Sequence, residues 1–340
     1  MVKKIPVEKA VGTVLAHDIT KIVPGKFKGV GFKKGHVIRQ EDIPELLKLG
    51  KEHLYILELS KDTLHEDDAA LRIARAISGS RFRWTAPREG KSNIVGKSDG
   101  LLKVNAAGLL RINKLGSIIV STLKNNYPCK EGQVVAGARI IPLTIPARKI
   151  EKLEELAARY QPVLQVLPYR KLRVGGVVTG SEIYKGLIKD EFDRYVAQKV
   201  INYGCKFVKK IVVPDDAGAI SRAILELKSL GCELILTTGG LSVDPDDVTR
   251  KGIRKAGARI VAYGSPILPG SMFLYALLDG KPILGLPACV YYAPTTAYDL
   301  ILPRVLAGEE LTKNVIAETG HGGMCLNCET CRYPVCPFGK

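Results

Sequence analysis

Leu234-Ile235-Leu236-Thr237-Thr238-Gly239-Gly240-Leu241-Ser242 decides the fold class, because a short apolar run of strand length ends here in two adjacent glycines. A continuous run fits a strand buried on both faces, as in parallel sheets. The rhythm on either side is regular. Leu172 to Thr179 reads as a strand, Lys185 to Tyr203 as a helix, Phe207 to Val213 as a strand and Asp215 to Leu230 as a helix. Another helix is expected over Val248 to Ala256. Strands alternating with helices of this length predict βαβ units on a parallel sheet.

Ligands of such sheets bind beyond the carboxyl ends of the strands. Three ends qualify: Thr179-Gly180-Ser181-Glu182, Pro214-Asp215-Asp216 and Thr238-Gly239-Gly240. Paired glycines let the backbone turn tightly and come close to a ligand. Ser242 adds a hydroxyl, and a helix beginning after Asp246-Asp247 would aim its N–H groups at the same place, which suits a phosphate. The same glycines serve equally well as plain turn residues with Asp247 as a helix cap, so the pair alone does not choose. Asp215 and Asp216 read first as helix caps.

The longer string is more specific. Leu234 to Val243 followed by Asp247-Val248-Thr249 resembles the T-T-G-G-x-S-x-G-x-x-D signature of the molybdopterin-binding domain family. Molybdopterin adenylyltransferases and the molybdopterin molybdenumtransferases of the MoeA and gephyrin type share that domain. Thr179-Gly180-Ser181-Glu182-Ile183 resembles the family's T-G-D-E-L turn, and Leu268-Pro269-Gly270-Ser271 its K-P-G-K turn. Lys281 to Pro287 resembles the strand before L-P-G-N-P, so the likeness covers roughly residues 170–308. It implies a three-layer α/β/α domain with a mainly parallel sheet. It further implies that Thr238, Gly239, Gly240, Ser242, Pro269 and Gly270 bind the cofactor, with Glu182 and Asp247 as carboxylates near the metal or dithiolene. Hard oxygen ligands of that kind suit Mg²⁺ and can position molybdate.

Departures narrow the expected activity. The family's glycine-aspartate after the serine is Asp244-Pro245 here, the aspartate of T-G-D-E-L is Ser181, and L-P-G-N-P has become Leu286-Pro287-Ala288-Cys289-Val290. Phe27-Lys28-Gly29-Val30-Gly31 does not match the D-G-Y-A motif of the molybdenumtransferases. Pterin binding survives this comparison better than metal transfer does.

Smaller domains, β-rich or α+β, are expected ahead of residue 171. The expected divisions are 1–60, a small N-terminal unit; 61–146, a β-rich subdomain led by a helix over Glu66 to Ile77; and 147–170, a connector helix over Arg148 to Tyr160. Residues 171–308 form the α/β domain and 309–340 a tail. A short helix is expected after Gln40-Glu41-Asp42, ending at Leu49-Gly50. Trp84 beside Arg81, Arg83 and Arg88, with Lys91-Ser92-Asn93 following, reads as a surface turn before it reads as an anion loop.

The tail carries the second strong pattern. Cys325-x2-Cys328-x2-Cys331-x4-Cys336-Pro337 places four soft ligands at spacings that can converge on a metal centre, [4Fe–4S] or Zn²⁺. The run is one residue longer than the ferredoxin pattern, and its Cys-Pro ending tilts the choice to iron–sulfur. Cys129, Cys205, Cys232 and Cys289 are isolated and fit buried, reduced thiols.

With 51 Lys and Arg against 34 Asp and Glu, the net charge of +17 favours anionic partners. The basic residues are dispersed and carry no docking motif for nucleic acid, so a phosphorylated small molecule is the expected anion. No apolar run is long enough to span a membrane, and no apolar segment follows the basic N-terminus, so a cytoplasmic location is expected. The expected function is molybdenum-cofactor biosynthesis or handling: binding molybdopterin or its nucleotide form, assisting molybdenum insertion or delivering cofactor to a molybdoenzyme apoprotein. A MoeA-like transferase activity is an open possibility, and the family likeness implies a homo-oligomer. The rival reading is a non-catalytic cofactor sensor or chaperone with a redox-responsive metal tail.

Overall fold

A computed structural model describes residues 2–57, 62–241 and 248–340. The chain forms two compact units, residues 1–125 with 129–166 and residues 126–128 with 167–340.

In the first unit, strands Val2–Pro6 and His53–Leu57 pair antiparallel, as do Ile19–Val23 and Phe27–Phe32. The expected early helix is Ile43–Lys48, entered through a 3-10 turn at Gln40–Asp42. Val7, Leu15, Ile19, Ile38 and Leu46 form the small core beneath these elements. Further along, four antiparallel strands run in the order Phe82–Trp84, Lys91–Gly96, Val134–Ile140, Ile118–Thr122. Helix Glu66–Ile77 buries Ala69, Ala70, Ile73, Ala74 and Ile77, the spacing of one helical face. Its acidic first turn suits the positive end of the helix dipole, and the His65 side chain accepts from Asp67 N at 3.2 Å. Arg72 makes a two-pronged bond (2.9 and 2.7 Å) to Glu154 on helix Ala147–Arg159. Ser92 is buried in a strand with its hydroxyl on Thr85 O, and the Trp84 indole donates to Ser78; Trp84 and Lys91 to Asn93 lie in paired strands and not in the expected turn.

The second unit is built on six strands: β1 (Arg173–Thr179), β2 (Lys206–Val213), β3 (Leu234–Thr238), β4 (Arg259–Tyr263), β5 (Leu274–Leu278) and β6 (Lys281–Leu286). Their order is β2-β1-β3-β6-β5-β4. β1 runs parallel to β2 and β3, and β3 parallel to β6, while β5 and β4 close the sheet antiparallel. Side chains alternate across it. Val174, Val178, Leu234 and Leu236 join one core, with Val196, Tyr298, Ile301 and Val305. Val177 and Ile235 join the other, with Ile220, Ile224, Leu227 and Ile253. The sheet is therefore covered on both faces, by helices α1 (Ala217–Ser229) and α2 (Thr249–Lys255) on one and α3 (Ala297–Leu306) on the other. This is a three-layer α/β/α domain with a mainly parallel sheet, as expected.

One expected helix is broken. Residues 185–203 do not form a continuous helix: a single turn covers Ser181–Tyr184, and helical structure resumes only over Asp193–Asn202, first as a π turn. Gly186 adopts φ +71°, a left-handed conformation that ends the first turn. Lys210 on β2 then pulls Asp190 and Asp193 to itself, each at 2.5 Å, and the polar crossing displaces the helical start. Among the described residues, no helix is long and apolar enough to cross a membrane.

Candidate functional site

The carboxyl ends of β3 and β6 meet the turn between β4 and β5 around a cavity of about 410 Å3. Three segments form its wall: Gly239–Leu241, Leu268–Met272 and Leu286–Cys289, with Tyr292 at the rim. Of the residues expected to bind cofactor, Gly239, Gly240, Pro269 and Gly270 lie in this wall. Thr238 is buried at the end of β3, where its hydroxyl accepts from Tyr291 Oη at 2.9 Å. Ser242 and Asp247 lie outside the described residues.

Backbone conformation shapes the wall. Gly239 and Gly240 have φ of +88° and +56°. A Cβ on Gly239 would sit 2.1 Å from Thr179 O, and one on Gly240 would sit 2.5 Å from Thr249 Oγ1. The ends of β1 and β3 and the start of α2 are thus pressed together at this turn. Thr249 Oγ1 donates to Gly239 O at 2.9 Å and lies 3.3 Å from Thr179 Oγ1. Tyr263 Oη donates to Leu241 O at 3.1 Å, and the Arg250 guanidinium stacks 4.3 Å over its ring. The opposite side repeats the device: Gly270 has φ +128°, and a Cβ there would fall 2.5 Å from Ala297 Cβ. Ala297 N donates to Pro269 O at 3.0 Å, which pins the turn to the start of α3.

The polar groups around the site are mostly committed. Asp216 caps α1 through Ala219 N (2.7 Å), as expected, whereas Asp215 accepts from both Ser181 N (2.8 Å) and Ser181 Oγ (3.1 Å). Ser181 in place of the family aspartate therefore serves to tie the ends of β1 and β2. Glu182 is exposed on the turn after β1 and is not part of the cavity wall. Burial pushes the Tyr291 phenol up to about 12, so it stays a neutral donor, and burial also raises the Cys289 thiol. No charged side chain stands in the wall among the described residues. Its polar groups are backbone N–H and C=O groups and the side chains of Ser271, Cys289 and Tyr292, beside apolar surface.

Comparison with known proteins settles the domain. The family described as "Probable molybdopterin binding domain" matches residues 175–307. Over those residues the chain is similar to that domain family. The molybdopterin-binding domain thus coincides with the second unit's sheet and with every segment of the cavity wall. A second family, described as a domain of unknown function, matches residues 4–58. A molybdopterin molybdenumtransferase from Haemophilus influenzae is 22% identical over 311 residues, covering 88% of this chain and 70% of its own length. A CinA-like protein from Amoebophilus asiaticus is 31% identical over 84 residues, 25% of this chain; the chain spans only 20% of that relative. Among solved structures, the molybdopterin biosynthesis enzyme MoaB from Thermus thermophilus matches 41% of this chain and 98% of its own, at 20% identity and TM-score 0.34.

Tyr291 and Tyr263 were not singled out by sequence reasoning, and Thr179 and Thr249 stood in the quoted motifs without an assigned role. Their roles are contacts between segments distant in the chain, which no local motif specifies. Leu286–Cys289 was legible as the counterpart of L-P-G-N-P, yet its place in the wall depends on the pairing of β3 with β6.

The cysteine tail is folded against the same unit. Cys325, Cys328, Cys331 and Cys336 all line one small cavity of about 50 Å3 together with Ala293–Thr295 and Phe338. Among the described residues, no three His, Cys, Asp or Glu side chains converge on a point that would hold a single ion.

Proposed function

We propose that this chain binds molybdopterin, or its nucleotide form, in the cavity walled by Gly239–Leu241, Leu268–Met272 and Leu286–Cys289, and acts in molybdenum-cofactor biosynthesis. The observation that carries the reading is the convergence of three family-matched segments on one cavity. Its volume is that of a small-molecule site, and its wall offers main-chain polar groups and apolar surface, which suit the amide edges and flat face of a pterin. The net charge of +17 favours an anionic ligand.

Ser242 completes the phosphate end in this reading. Glu182, exposed outside the cavity wall, and Asp247 are the carboxylates assigned to Mg²⁺ and to molybdate, the substrate of a molybdenum-insertion step. Delivery of finished cofactor requires a molybdoenzyme apoprotein as partner, and the chain works as a homo-oligomer in the cytoplasm. The tail cysteines belong to the reading as a four-thiolate centre, iron–sulfur or zinc.

Equilibrium binding of molybdopterin to the purified chain tests the site. Wild type should bind, and Ser242→Ala should weaken binding by about tenfold, the loss of one hydrogen bond to a charged group. Glu182→Gln and Asp247→Asn should leave pterin affinity nearly unchanged while lowering molybdenum incorporation. No binding by the wild type, or equal affinity in Ser242→Ala, refutes the site assignment.

A further inference from the structure

The last twenty residues pose a physical problem. Residues 321–340 contain no helix and no strand, and only Gly323 and Phe338 are buried. Ordering an irregular segment of that length costs conformational entropy that two buried residues do not offset. Yet the segment takes a defined path. Cys325, Tyr333 and Cys336 pack on the sheet's core, Phe338 is 2% exposed, and the Tyr333 and Phe338 rings meet edge to face at 6.1 Å. Hydrogen bonds to Leu268 and Asp299 add to that burial.

The four cysteines of the tail line one cavity of about 50 Å3, several times the volume needed for a single water. Four cysteines with a Cys-Pro ending resemble the ligand run of an iron–sulfur cluster. Cys328 and Cys331 are exposed and Cys325 and Cys336 partly so, so the thiols are open to loading from solution.

The position of the tail matters more than its chemistry. Leu268 N donates to Gly323 O and Leu268 O accepts from Cys325 N, both at 2.8 Å, and Leu268 pairs with Met324 as a parallel bridge. Leu268 is the first residue of the Leu268–Met272 segment of the cavity wall. On the far side of that turn, Thr295 Oγ1 lies 3.0 Å from Cys331 Sγ, and Tyr333 Oη donates to Asp299 O at 3.2 Å. Ala297, between those two contacts, is the residue that holds Pro269 and abuts Gly270. The tail thus grips the Leu268–Gly270 turn from both sides.

We propose that Cys325, Cys328, Cys331 and Cys336 ligate a [4Fe–4S] cluster that clamps the tail onto the Leu268–Gly270 turn, so that cluster occupancy sets the affinity of the neighbouring cavity. Binding of iron by four thiolates releases their protons and ties the irregular segment shut, the usual coupling of metal loading to folding. The ligand read by the affinity arm rests on the pterin assignment above; the iron and protease arms do not.

The test uses the full chain purified without oxygen. The expected result is about four iron and four sulfide per chain, with the visible absorbance of thiolate-bound iron. Cys328→Ser/Cys331→Ser changes two exposed positions. It should lose the iron, open residues 321–340 to limited proteolysis while the sheet stays intact, and weaken molybdopterin binding by about tenfold, a typical effect of losing an outer supporting contact. One zinc per chain without iron, or disulfide-linked thiols without metal, overturns the cluster. Iron present but with proteolysis and binding the same after its loss overturns the clamp. Wild-type protein that holds iron and protects its tail, but binds no molybdopterin, refutes the pterin reading and the affinity coupling while the clamp itself is upheld.

Discussion

The Gly239–Leu241 turn and the cysteine tail lie in one folded unit and are held by opposite means. The turn is fixed by backbone: two positive φ values, contact with Thr179 too close for any Cβ, and a hydroxyl of Thr249 on Gly239 O. The tail has only two buried residues and is held by hydrogen bonds to Leu268 and Asp299, with its four cysteines lining one cavity. The first kind of site exists as soon as the sheet folds. Under the cluster proposal, the second is complete only when iron and sulfide join it. Substitutions should therefore act on the two regions in different currencies, global stability for the turn and local order for the tail.

The largest effect is expected at the turn. Gly239→Ala forces a Cβ into Thr179 at positive φ and should destabilise the chain by about 3 kcal/mol or more, seen as a lower thermal midpoint and a loss of ligand affinity. A near-normal midpoint would break the contrast at its stronger end. Gly270→Ala meets Ala297 and should cost about 2 kcal/mol, with affinity falling even where the fold survives. Next comes thiol labelling of metal-free protein. The exposed Cys328 and Cys331 should react about tenfold or more faster than Cys129, Cys205, Cys232 and Cys289, whose thiols burial pushes up, Cys129 to about 11. Equal rates would mean that the two regions do not differ in order. Tyr291→Phe removes one hydrogen bond on Thr238 and should cost about 1 kcal/mol. Because the folded phenol titrates near 12 instead of 10, its contribution is complete below pH 10 and is lost as pH rises through 12, so the variant should also show a weaker alkaline transition. The smallest effect is expected at Thr237, whose buried hydroxyl has no partner among the described residues. Thr237→Val should change the midpoint little or raise it slightly, by about 0.5 kcal/mol.

Elements of both units were legible in the sequence. Strand Leu234–Thr238 and helix Glu66–Ile77 fall almost where hydrophobic pattern and charge place them, because each is decided by local signals that tertiary packing reinforces. The helix expected over Lys185 to Tyr203 was not legible in its true form. Its interruption is set by Lys210 of β2 reaching Asp190 and Asp193, a contact between segments that periodicity cannot register. The site shows the same division. Gly239, Gly240, Pro269 and Gly270 were readable as short motifs, and the structure brings them to one cavity. Ser181 read only as a departure from the family pattern, and its bond to Asp215 became visible only once β1 and β2 lay side by side. Glu182 was chosen from the motif, yet its exposed position outside the wall follows from how the turn after β1 points.

The close approach of Gly270 to Ala297 carries a consequence for how this chain can change over generations. The two residues are 27 positions apart, yet a Cβ added at 270 lands on Ala297. A side chain at 270 therefore needs the room that Ala297 takes, and substitution there moves the start of α3 as well as the turn. Exposed Tyr292 at the rim is free of that constraint, so the opening can be widened there without touching the packed turn.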